Sequence, residues 1–77
     1  MKKPATWNYR LIRDDEGYLG FHEVYYDKDG HILGCTENQV SLWAETTEGL
    51  RKQFEDAVSK PILTHTGDKL VPEKVVN

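Results

Sequence analysis

Two short acidic turns constrain this chain more than any other feature. Asp14-Asp15-Glu16-Gly17 and Asp27-Lys28-Asp29-Gly30 each place an aspartate first, where its carboxylate can accept from the turn's own backbone. Each places a glycine fourth, where a positive φ is needed. Around them lie TWNYRLIR (6–13), YLGFHEVYY (18–26) and HILGCTE (31–37), runs rich in aromatic and β-branched residues, as strands are. Three such runs joined by two tight turns predict an antiparallel three-stranded meander. A type I turn with a glycine bulge in each hairpin sets Asp14 opposite Tyr18 and Asp27 opposite His31, which fixes both registers.

Alternation along the strands then sorts the side chains into two faces. One carries Trp7, Tyr9, Leu11, Leu19, Phe21, Tyr25, Leu33 and Cys35, with Glu23 among them, and is expected to be the core. The other carries Asn8, Arg10, Ile12, Tyr18, His22, Val24, Tyr26, Ile32 and Thr36, and nothing in the meander covers it.

From Thr46 the period changes from two to about 3.6 residues. TTEGLRKQFEDAVSK (46–60) sets Leu50, Phe54, Ala57 and Val58 along one stripe, which predicts a helix laid across the apolar face of the sheet. Thr46 is a suitable N-cap, Glu48 complements the helix dipole, and Glu48–Lys52 and Asp56–Lys60 are favourable i,i+4 pairs. Pro61 stops the helix. The expected class is therefore α+β, a β-β-β-α domain over 6–63, with a flexible N-terminus (1–5) and a loose tail or short fourth strand over 64–77.

Seventy-seven residues make one domain with a thin core. One cysteine excludes an internal disulfide, so a partner subunit is the natural additional source of stability. A net charge of -3 lacks the basic footprint that phosphate binding needs, which argues against nucleic acid. No apolar run is long enough for a membrane span, and MKKPATWNYR has no signal-peptide core. A cytoplasmic protein is expected, and Cys35 agrees with a reducing compartment.

The residues with chemical potential crowd into Gly20–Cys35, yet their spacing does not assemble a site. His22-Glu23 begins like a zinc-protease motif, but position 26 is Tyr, in a strand. His22 and Cys35 fall on opposite faces in the expected register, and Asp27-Lys28-Asp29-Gly30 lacks the twelfth-position glutamate of a calcium loop. Neither metal nor cofactor is expected. Cys35, Ser41 and Ser59 have no base placed beside them, so no catalytic residue is named and the chain is read as a non-enzyme. Glu23 points at the core face, where the ordinary reading is a carboxylate bonded to a tyrosine hydroxyl. Tyr18 and Tyr26 could stack on bases, but only Arg10 supplies positive charge nearby, and protein contact is the better reading.

The run WNYRLI, the box HEVYYDKDG and ETTEGL followed by KPIL together resemble a group of small uncharacterised bacterial proteins of similar length, over residues 7–63. That resemblance implies fold boundaries and no activity. In element order the chain is also similar to the HicB-type antitoxin domain, whose strands lead through a Gly-Cys pair to a threonine-capped helix, here Gly34-Cys35 and Thr46. The loop from Asn38 to Glu45 is longer than that family's.

These readings converge on a small non-enzymatic protein-interaction or regulatory module. It would act through the uncovered face or an edge strand, with Arg10, Tyr18, His22, Val24, Tyr26 and Ile32 as interaction residues. Its partner would be a protein, including a second copy in a homodimer. The alternative is a small acidic inhibitor, for example of phage origin, that blocks a nucleic-acid-binding surface on a larger protein by presenting carboxylates where phosphates would lie.

Overall fold

The computed structural model describes residues 3–73. Its elements are β1 (Thr6–Arg13), β2 (Leu19–Tyr26), β3 (Ile32–Cys35), α1 (Thr47–Val58), β4 (Leu63–Thr66) and β5 (Lys69–Pro72). The class is α+β, one helix with a mixed five-stranded sheet in the order β3-β2-β1-β4-β5.

Both acidic turns form as their residues dictate. Asp14 accepts at Oδ1 from the N–H groups of Glu16 and Tyr18, each at 2.9 Å. Asp27 repeats this with Asp29 and His31. Gly17 and Gly30 take φ of 91° and 84°, which a Cβ would oppose. The β1–β2 ladder follows the expected register from Thr6↔Tyr26 to Arg13↔Leu19. Thr46 caps α1, accepting from Gly49 N–H at 3.0 Å.

Three expectations need correction. The segment after Pro61 is neither a loose tail nor one strand: Leu63–Thr66 and Lys69–Pro72 form a hairpin around Gly67, whose φ of 63° suits the first central position of a two-residue turn. Within the terminal segments, 1–2 and 74–77 lie outside the described residues, while Ala5 N–H donates to Tyr26 C=O at 2.9 Å. Strand β1 is interior rather than an edge, because β4 pairs parallel to its C-terminal end at Ile12↔Leu63 and Arg13↔Thr64. The i,i+4 ion pairs on α1 are absent among the described residues: Lys60 Nζ donates to the Asp56 carbonyl instead, at 2.9 Å.

The register of β3 also shifts. Tyr26 opposes Ile32, but Tyr25 opposes Gly34 and Val24 opposes Cys35. The extra residue, Leu33, is a bulge, and a one-residue slip sends every later side chain to the other face. Cys35 therefore shares the face of Val24 rather than that of Tyr25.

The core lies on the face expected to be uncovered. Ile12, Val24 and Leu63 are 2%, 0% and 1% exposed, with Tyr26, Ile32, Cys35 and Leu70 packed around them. Residues of β3 and of the β4–β5 hairpin line one cavity, so the two ends of the sheet approach each other around this cluster. The curl of the sheet supplies the cover that a meander alone lacks. The helix lies on the opposite face, where Phe54 meets Phe21 edge-on with ring centroids 5.8 Å apart.

Candidate interaction surfaces

The helix presents its apolar side chains off its buried line. The side facing the domain runs through Gly49, Gln53 and Ala57, of which only Ala57 is fully buried. Leu50, Phe54 and Val58 each follow that line by one residue, a rotation of ~100°, and remain 39%, 49% and 40% exposed. The expected core stripe is thus split: Ala57 packs inward, while the three larger residues form a half-exposed ridge along the helix flank. The loop before the helix adds Trp43, 75% exposed, whose carbonyl accepts from Gln53 Nε2 at 3.1 Å.

The sheet face under the helix is also incompletely covered. Trp7 and Leu19 are exposed, and Trp7 packs edge-on against Tyr9 at 5.2 Å. Among the described residues eight large hydrophobics are exposed and four hydrophobics are buried.

The residues read from sequence as an interaction face have separated into different roles. Val24 is core, and Ile32 packs against it. Arg10 is 8% exposed, donating from Nη1 to Tyr26 Oη at 2.9 Å and from Nη2 to the Pro61 carbonyl at 2.8 Å. Tyr26 Oη in turn donates to Asn8 Oδ1 at 2.8 Å. This chain of bonds joins β1, β2 and the segment that leads into β4. Among the described residues Arg10 Nε is buried with no partner, and the two guanidinium bonds go to neutral acceptors. His22 stands opposite Arg10, with Nδ1 3.0 Å from the Thr36 carbonyl and 3.3 Å from the Thr36 hydroxyl. Tyr18, 70% exposed, lies apart at the first turn and shares with His22 a polar cavity of about 480 Å³, closed by Glu37, Asn38 and Gln39. Val24 is covered by its own chain and is not part of an open face.

Glu23 is half-buried and accepts from Tyr25 Oη at 3.1 Å. That bond holds the Tyr25 proton and raises its pKa, helped by burial. Burial likewise pushes the Cys35 thiol up, away from nucleophilic character. Asp27, Asp29 and His31 bring one ligand atom each within 4.8 Å of one another. The turn accounts for this grouping: Asp27 Oδ1 accepts two backbone N–H groups and Oδ2 lies 3.3 Å from His31 Nδ1. The His31 N–H is the main cause that holds the Asp27 carboxyl below its usual range.

Sequence reasoning offered one short fourth strand as an alternative to a tail and missed the β4–β5 hairpin and the residues it contributes. Leu63 and Leu70 enter the core, and Glu73 accepts from Arg13 Nε at 2.6 Å, tying the end of the β4–β5 hairpin to β1. That pairing lowers the Glu73 carboxyl. The signal was present in LTHTGDKLV: two short runs flanking a Gly-Asp pair is a hairpin pattern. Compared with known protein families, curated proteins and solved structures, the chain matches none of them. Among the described residues no helix is long and apolar enough to cross a membrane.

Proposed function

We propose that this chain is a cytoplasmic, non-enzymatic protein-interaction module whose principal contact is the apolar ridge of α1. One observation carries the reading: Leu50, Phe54 and Val58 are turned ~100° off the helix's buried line and left half-exposed, although a small domain gains most by burying such residues. Folding leaves three large side chains in register on one flank, beside Phe21. Contiguous apolar surface of this kind is characteristic of protein contacts. A second copy is the simplest occupant, since a two-fold axis would lay one ridge against the other.

The test is sedimentation velocity from low to high micromolar concentration, with photo-crosslinking from position 58, on the same ridge, in the cell of origin. A reversible dimer, or a specific crosslinked protein, is expected for the parent chain and is lost in Phe54→Asp, whose far-UV circular dichroism is unchanged. A monomer at every concentration combined with no crosslink overturns the reading.

A further inference from the structure

The two free edges of the sheet border one cavity, and we propose that the gap between β3 and β5 receives an extended segment of a partner protein as an added strand. This goes beyond the helix ridge: it rests on the reading of the chain as a protein-binding module but uses a different surface and different chemistry.

In the order β3-β2-β1-β4-β5 the outer strands pair on one side only. Their outward backbone groups follow from the bonds that neighbouring residues make. Asp27 N–H donates to His31 C=O and Thr36 N–H to Glu23 C=O, so the alternation of an antiparallel ladder turns the N–H and C=O of Ile32 and Cys35 away from β2. On the other strand Glu73 N–H donates back to Ile62 C=O at 2.7 Å. The same alternation turns Leu70 and Pro72 outward. Pro72 has no N–H to offer, the position on an edge where proline is tolerated. The edges thus present N–H donors at Ile32, Cys35 and Leu70, and carbonyl acceptors at these three and at Pro72.

These edges border one cavity of about 560 Å³, lined by Ile32 to Cys35 on one side and Lys69 to Val71 on the other. A four-residue strand advances ~3.3 Å per residue, occupies ~4.8 Å between neighbours and is ~10 Å deep with its side chains, roughly 600 Å³. Strands β3 and β5 are each four residues long, so each edge matches one short strand in length. Its floor is the apolar cluster: Ile32, Cys35 and Leu70 are only half-buried while packed on Val24 and Leu63. The occupant so defined is an extended peptide whose alternate side chains are small and apolar, held chiefly through its main chain.

The test uses an acetylated, amidated octapeptide of alternating valine and threonine with terminal lysines, titrated into the full chain and followed by amide hydrogen exchange and NMR shifts. Saturable binding is expected, with slowed exchange at Ile32, Cys35 and Leu70. The same peptide N-methylated at alternate residues should bind about tenfold more weakly or worse, because main-chain donors supply the affinity. No saturable binding, binding indifferent to N-methylation, or shifts centred on Leu50, Phe54 and Val58 each overturn the strand-addition proposal. Those outcomes leave the helix ridge to be judged by its own sedimentation result, so the two readings fail separately.

Discussion

Leu63→Ala measures how much of this domain depends on the β4–β5 hairpin. Leu63 is 1% exposed and packs with Ile12 and Val24. Truncation removes three carbon groups, a loss of ~2.4 kcal/mol at ~0.8 kcal/mol per buried methylene. The cavity left behind adds about 1 kcal/mol, since a curled sheet can collapse only in part. A chain of this length is expected to have about 4–12 kcal/mol of total stability, so a loss of ~3 kcal/mol is a large fraction, equivalent to roughly 12–24 °C in Tm. Urea unfolding at fixed chain concentration, followed by tryptophan fluorescence and circular dichroism, measures it. Leu33→Ala, at the exposed bulge, is the control and should lose under about 1 kcal/mol. If Leu63→Ala unfolds within ~1 kcal/mol of the parent at an unchanged denaturant slope, β4 does not seal the core and the assignment of the two faces is wrong.

Further outcomes follow from single groups. Gly30→Val forces a β-branched residue to a φ of 84° and should cost about 1 kcal/mol or more, whereas Gly34→Ala, in open space at an ordinary φ, should cost well under that in the same urea assay. Arg10→Ala strips the donors from Tyr26 Oη and the Pro61 carbonyl and should lose about 2–3 kcal/mol, again read from the urea midpoint; equal stability would show that the bond chain does not tie β1 to β4. The carboxyls of Asp27 and Glu73 are both held below their ordinary range, so their contribution is present above the unfolded carboxylate pKa of ~4 and lost as pH falls through the lower folded values. Urea midpoints at neutral and acidic pH should show that loss, and Asp27→Asn should reduce it.

What the sequence determined by itself was everything set by neighbours a few residues apart. Each Asp-x-x-Gly turn carries its own hydrogen-bond partners and its own positive-φ residue, so both turns and the β1–β2 register were legible without any tertiary contact. The helix was equally legible from its cap at Thr46 and its change of period. Strand β4 was not: Leu63–Thr66 is short, and it becomes part of the sheet only by pairing with Ile12 and Arg13, some fifty residues away along the chain. The same distance hid the site. Which face became the core depended on the bulge at Leu33, which carried Cys35 across the sheet, and on β4 and β5 curling to meet β3. Both are decisions of long-range packing, since a period-two pattern records that two faces exist and not which of them another element will cover. The helix stripe was visible in the sequence, but its half-exposure was not: Gly49, Gln53 and Ala57 form the more buried line, with Leu50, Phe54 and Val58 on its flank.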